Sequence, residues 1–259
     1  MSRCDDQPIA QKLLNKVARA YDTLDFSINL KNLLADVFPE ENFSQFTKYD
    51  LHRRINDLVI SYYPGEEVIK YILFKTFYKK NNVAAFEIRV NNSRADFLCI
   101  NGHSSSFEIK SGLDNLYKLP KQCLDYLMAF DFNYVVIDEK HLTKALDILP
   151  EEFGIWSVSG IRKKEHRKAG LNQKINPEIQ LQLLTKKERK LGFQQTGGEI
   201  PMILKEISPL DINEGFKRLM KCRYAQRWNF IVSNVDTILP VDLQFFFNNN
   251  VDPRIIYHY

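Results

Sequence analysis

Cysteine is scarce and scattered: Cys4, Cys99, Cys123 and Cys222 are the four, and no two form a Cys-x-x-Cys pair. That spacing indicates neither a structural zinc site nor a disulfide framework. Glycine and proline, ten of each, form no Gly-rich phosphate loop and no long linker, which argues against an ATP-driven motor within this chain. No apolar run approaches the length of a transmembrane helix, and Met1-Ser2-Arg3-Cys4-Asp5-Asp6-Gln7 lacks the apolar stretch of a signal peptide. No internal repeat is visible. These absences lead to the expectation of a cytoplasmic protein with no membrane partner.

What is present is an ordinary globular composition, 44% hydrophobic and 26% charged. The 259 residues suffice for one large core with a helical appendage. Charge changes sign along the chain. Residues 1–159 carry 19 Lys and Arg against 22 Asp and Glu, whereas residues 160–259 carry 17 against 10. A basic C-terminal part fits a phosphate backbone.

Residues 8–63 read as helices with short breaks, on the spacing of Ile9, Leu13, Leu14 and Val17 and then of Leu30, Leu33, Leu34 and Val37. Tyr62-Tyr63-Pro64-Gly65 marks a turn. Glu66-Glu67 then opens a helix whose N-terminus favours acids, with Val68, Ile69, Ile72, Leu73 and Phe77 as its apolar face.

Residues 84–138 carry the chemistry. Phe86, Ile88 and Val90 alternate with Glu87 and Arg89, as a strand with one apolar and one charged face requires. A turn at Asn91-Asn92-Ser93 leads to a second strand over Arg94–Ile100, and a polar hairpin leads to a third, Ser106-Phe107-Glu108-Ile109-Lys110. Adjacent strands lie about 4.8 Å apart, so Asp96 and Glu108 can meet over one sheet face with Lys110 beside them. Two carboxylates and a lysine around one point are costly without a counter-charge. Mg2+ resolves the conflict, because it takes one or two carboxylates and leaves positions for water and phosphate. Lys110 would then stand beside the attacking water or stabilise charge developing on phosphorus.

Asp96 followed by Glu108-Ile109-Lys110 on consecutive strands resembles the PD-(D/E)XK nuclease superfamily, with Ala95 where the proline usually stands. Gln122-Cys123-Leu124-Asp125-Tyr126 matches the Gln-x-x-x-Tyr element of its RecB-like and lambda-exonuclease-like branches. A nearer likeness is to small bacterial proteins of that superfamily, through Glu87-x-Arg89, Ser93-Arg94-Ala95-Asp96, Glu108-Ile109-Lys110-Ser111 and the segment Leu116–Tyr126 with Leu119-Pro120. The likeness spans roughly residues 66–160.

The resemblance implies a restriction-endonuclease-like α/β/α core with a mixed central sheet. Residues 1–63 would form a helical lead-in, 64–160 the nuclease-like core, and 161–259 a basic, mostly helical region packed on the core or forming a small subdomain. The implied activity is metal-dependent hydrolysis of phosphodiester bonds. Asp96, Glu108 and the Ile109 carbonyl would hold Mg2+, with Mn2+ as a substitute; Lys110 would assist attack; Gln122 and Tyr126 would position the scissile strand. Superfamily members also draw a glutamate from the helix before the first core strand. Glu67 is that candidate, with Glu66 its rival, and Glu87 is a further ligand candidate or a residue orienting Arg89. Some RecB-like members hold an iron–sulfur cluster on four cysteines, but these four are placed wrongly and no cluster is expected.

Nucleic acid is the expected partner, DNA rather than RNA. Arg89, Arg94, Lys118, Lys121, Arg162, Lys163, Lys164, Arg167 and Lys168 are the candidate phosphate contacts, each with a solvated surface as its ordinary explanation. Phe153–Val158 is expected as an edge strand and Asp211 to about Phe230 as a long helix. Trp228, Phe230 and Phe245-Phe246-Phe247 could stack on bases, although aromatics there more often form core. A role in restriction, repair or defence against phage follows by analogy alone. The rival reading is a catalytically silent nuclease-like scaffold that binds nucleic acid or a partner protein. Cutting both strands of a duplex would call for a homodimer.

Overall fold

The computed structural model describes residues 11–79 and 81–258. Cys4 and Ile9 lie outside the described residues. Three helices come first: α1 (Gln11–Ala20), α2 (Ser27–Val37) and α3 (Lys48–Tyr62). Thr47 and Asp50 close a capping box at the start of α3, so two otherwise unpaired N–H groups are satisfied there. Helix α4 (Glu66–Phe77) leads into β1 (Val83–Val90), β2 (Ser93–Asn101) and β3 (His103–Lys110). Then follow α5 (Leu119–Leu127), β4 (Phe132–Asp138), α6 (Leu142–Ile148), β5 (Gly154–Ser159) and β6 (Arg162–Arg167). The C-terminal part continues with α7 (Pro177–Gln182), α8 (Lys186–Gly192), α9 (Ile200–Glu206), α10 (Pro209–Ser233), α11 (Leu243–Asn249) and α12 (Pro253–His258).

All six strands form one sheet in chain order, β1-β2-β3-β4-β5-β6. β1, β2 and β3 are antiparallel hairpin neighbours, β4 and β5 run parallel to β3, and β6 turns back antiparallel to β5. Parallel neighbours need crossovers, which α5 and α6 supply. The chain is therefore an α/β protein with a mixed sheet flanked by helices. Phe107 packs on Phe77 of α4, while its neighbour Glu108 meets Tyr126 of α5. Successive strand residues point to opposite faces, so α4 and α5 cover opposite sides.

One expectation changes here, and a choice left open for the aromatics falls to the core. β5 is not an edge strand, because the basic segment Arg162–Arg167 pairs outside it, and the sheet thereby continues past residue 160. The base-stacking candidates Trp228, Phe246 and Phe247 are buried. Trp228 lies edge-on to Phe74 and Phe97, and Phe247 meets Phe86. α10 and α11 thus seal the β1–β2 end of the sheet, and each fully buried aromatic contributes about 2–3 kcal/mol.

The N-terminal helices are tied to the far end of the chain by a buried carboxylate. Asp242 accepts hydrogen bonds from the Tyr21 hydroxyl at 2.9 Å, Thr23 at 2.8 Å, Asn56 Nδ2 at 3.4 Å and the Tyr257 hydroxyl at 2.8 Å. His52, fully buried, bonds Tyr21 through Nδ1 at 2.8 Å. No periodicity in the sequence announces the contacts of Asp242 with Tyr21, Thr23 and Asn56, because these partners lie 221, 219 and 186 positions away.

Candidate active site at the β2–β3 fork

β2 and β3 pair from Asn101–His103 to Phe97–Phe107. The next pair would be Asp96 with Glu108, and there the ladder stops. The backbone N–H of Ile109 donates instead to Asp96 Oδ2 at 2.6 Å. Asp96 is thereby fixed beside Glu108.

Glu108 is the hub. Its Oε1 accepts from Lys110 Nζ and from Gln122 Nε2, each at 2.5 Å, and its Oε2 accepts from the Tyr126 hydroxyl at 2.5 Å. Gln122 and Tyr126 share one face of α5 because they are four residues apart. Ser93 Oγ donates to Asp125 Oδ2 at 2.5 Å, tying the β1–β2 hairpin to that helix. The structure therefore brings together Asp96, Glu108, Lys110, Gln122 and Tyr126.

The electrostatics follow from burial. Asp96 is pushed well above the usual aspartate range, first by burial and then by the charges of Glu108 and Glu66. Burial also raises Glu108, against the pull of Lys110, Tyr126 and Gln122. For Lys110, burial works against the charge, but Glu108, Asp96 and Asp114 outweigh it and the ammonium is held protonated. Burial and Glu108 push the Tyr126 phenol up, so it stays a hydrogen-bond donor.

A second group of acids adjoins the first. Carboxylate oxygens of Glu66, Glu87 and Asp96 lie within 4.8 Å of one another. The helix glutamate that reaches Asp96 is Glu66; Glu67, half-buried, faces instead the charges of its neighbour Glu66 and of Asp114. Side chains of adjacent helical residues diverge by about 100°, so a one-residue misassignment changes which carboxylate points inward. Glu87 has φ of +60°, a left-handed conformation that non-glycine residues adopt at a cost of about 1–3 kcal/mol. It interrupts the β1–β2 ladder between Phe86–Phe97 and Ile88–Ala95. Glu87 does not orient Arg89: its partners are Lys70 Nζ at 2.5 Å and Arg94 Nε at 2.5 Å, the latter an ion pair out of line for a hydrogen bond. Arg89 is exposed.

The donor set fits a hard divalent cation. Every available ligand is oxygen, the carboxylates outnumber the ammonium and guanidinium groups that touch them, and Gln122 Oε1 is a buried acceptor with no partner beside Glu108.

The remaining basic candidates separate by what they bond. Lys118 and Lys121 are exposed at the start of α5. Strand register places Lys110, Ile137, Ser157 and Lys164 in one row across the sheet. Lys164 is thus on the Lys110 face, about 14 Å away for three strand spacings. Arg162 and Lys163 lie toward the same strand ends, with Lys163 4.0 Å over the Trp156 ring, whereas Arg167 donates to the carbonyls of Phe153 and Pro150 at 2.7 Å. Arg167 closes a turn instead of offering a phosphate contact. Lys168 is exposed.

Reading the sequence missed Lys70 and Gln244. Lys70 stands four residues after Glu66, a spacing that ordinarily marks a surface ion pair; nothing local reveals that it is buried.

A family model described as bacteriophage P4 protein cII matches residues 65–246. The chain belongs to that family. The match runs from Gly65, immediately before α4, through the sheet and into α11, and so takes in every residue of the site. No curated protein matches the chain. Among solved structures, a protein of unknown function from Silicibacter pomeroyi is 18% identical with a TM-score of 0.36, covering 55% of this chain and 92% of that one. No helix among the described residues is long and apolar enough to cross a membrane.

Proposed function

We propose that the chain is a Mg2+-dependent nuclease of the restriction-endonuclease-like kind, hydrolysing phosphodiester bonds of DNA. The observation that carries the reading is the Glu108 carboxylate, held by Lys110, Gln122 and Tyr126 next to Asp96. Asp96, Glu108 and the Ile109 carbonyl would hold the cation, with Mn2+ able to substitute. When bound, it supplies Lewis-acid charge to the scissile phosphate.

The chain's own residues account for the rest. Lys110, held charged by Glu108, stabilises negative charge as it grows on phosphorus and does not act as the base. Gln122 and Tyr126 fix the rotamer of Glu108, and the free carbonyl of Gln122 accepts a hydrogen bond from a water or the substrate. The exposed cations Lys118, Lys121, Arg162 and Lys164 would contact the phosphate backbone. A setting in restriction, repair or defence against phage rests on the resemblance to the nuclease superfamily.

Lys110→Ala tests the assignment. Cleavage is expected to fall by about a thousandfold or more, as for the loss of one preorganised charge-stabilising donor, while DNA binding measured by fluorescence anisotropy stays close to wild type. Unchanged cleavage would remove Lys110 from the mechanism. Tight binding with no cleavage by the wild type would favour the silent scaffold.

A further inference from the structure

The acidic group beside Asp96 contains a cation that belongs to the chain. Lys70 projects from the second turn of α4 and is 9% exposed. Its ammonium pairs with Glu66 Oε1 and lies 2.5 Å from Glu87 Oε1 and 2.5 Å from Gln244 Oε1 of α11. An ammonium has three protons to donate and no acceptor capacity, so these three oxygens use it completely. Glu87 reaches Lys70 from a backbone in the left-handed region, and α11 contributes the side-chain amide of Gln244.

Two-metal phosphodiesterases set their ions about 3.5–4 Å apart between shared carboxylates. Here Asp96 is the shared carboxylate, Glu108 lies on one side of it, and Glu66 and Glu87 lie on the other. The second side already holds Lys70. Counting the ion-paired groups and the adjoining Asp96, the carboxylates of Glu66, Glu87, Asp96 and Glu108 stand against the cations Lys70, Arg94 and Lys110, which leaves one net negative charge. A single divalent cation reverses that charge; two would leave the buried site strongly positive.

We propose that the Lys70 ammonium stands in the place of a second metal, so that this site takes one divalent cation, at Asp96 and Glu108, and uses a covalently tethered positive charge for the other. Gln244 is the positioning residue that keeps the ammonium between Glu66 and Glu87. The inference rests on the metal-dependent reading of the site and specifies its stoichiometry.

The experiment counts bound Mn2+ on the full chain by electron paramagnetic resonance, without DNA, with circular dichroism to verify folding. Wild type is expected to bind one Mn2+ per chain and Lys70→Met two, the second disappearing in Lys70→Met with Glu87→Gln. Glu87→Gln in the wild-type background keeps the count at one, because Glu87 serves Lys70, and Asp96→Asn brings it to zero. Two ions in wild type, one in folded Lys70→Met, or none in Glu87→Gln each overturn the proposal while leaving a metal-dependent nuclease intact. If Lys70→Met does not fold, the wild-type and Glu87→Gln counts decide. No ion in wild type overturns the metal reading and this inference together.

Discussion

Two aspartates, the buried Asp242 and the half-buried Asp96, sit in opposite situations. Both are pushed up by burial. Asp242 is then surrounded by neutral donors, the hydroxyls of Tyr21, Thr23 and Tyr257 and the amide of Asn56, each of which lowers it. Its hydrogen-bond partners among the described residues are all neutral, and it joins the N-terminal helices to the C-terminal segment. Asp96 has one backbone donor and two further carboxylates, Glu108 and Glu66, whose charges raise it further. One centre is satisfied within the fold. The other keeps an excess of negative charge that only a cation or a substrate-bound state relieves.

Breaking the satisfied centre has the largest expected effect on stability. Asp242→Ala takes the carboxylate acceptor from the hydroxyls of Tyr21, Thr23 and Tyr257, and urea denaturation is expected to show a loss of about 3 kcal/mol. A change of less than 0.5 kcal/mol, roughly the size of an ordinary surface substitution, would mean that this centre does not hold the two ends together.

The same region sets an acid limit. Burial, with Lys48 adding, pulls His52 down to about 4, and its Nε2 is buried with no partner. A histidine lowered in the fold takes up protons preferentially in the unfolded chain, so stability is full above the ordinary histidine value and falls as pH drops from there toward 4. The expected loss across that window is on the order of 2 kcal/mol. His52→Gln should flatten the slope between pH values of about 6.5 and 4; an unchanged slope assigns the acid limb to other groups.

At the other centre the sign reverses. A carboxyl raised in the fold contributes stability that is full in acid and lost as pH rises through its folded value. Asp96→Asn keeps an acceptor for the Ile109 N–H and removes that loss. In EDTA the variant is expected to be more stable than wild type by about 1 kcal/mol near a pH of about 8, and no more stable below a pH of about 4. Equal or lower stability at the higher pH would mean that Asp96 is as well compensated as Asp242.

How much of this was legible in the sequence follows from the range of the interactions. The strands over Val83–Lys110 and the helix with Gln122 and Tyr126 are written in alternation and i, i+4 spacing, which are local. The fork at Asp96 was legible as a motif. β6 was not, because Arg162-Lys163-Lys164-Glu165 carries no apolar alternation and forms a strand through its pairing with β5. Glu66 could not be told from Glu67 without the helix phase, and Lys70 could not be told from a solvated surface lysine. Its burial depends on Gln244, 174 positions away. The Asp242 network failed to show for the same reason.

The smallest effect concerns the sheet's far edge. Lys164 shares the row of Lys110, so Lys164→Ala is expected to weaken DNA binding by about threefold and to lower the slope of log affinity against log salt by about one. Arg167, bonded to the carbonyls of Phe153 and Pro150, should leave that slope alone. A slope unchanged in Lys164→Ala would place the duplex elsewhere.

The most direct measurement incubates the purified chain with closed-circular and linear DNA in Mg2+, Mn2+ or EDTA, beside Asp96→Ala. The account predicts cleavage that requires the metal and disappears in the variant, and the circular substrate distinguishes internal from terminal cutting. DNA left intact by the wild type under every condition, or cut equally by Asp96→Ala, would contradict it.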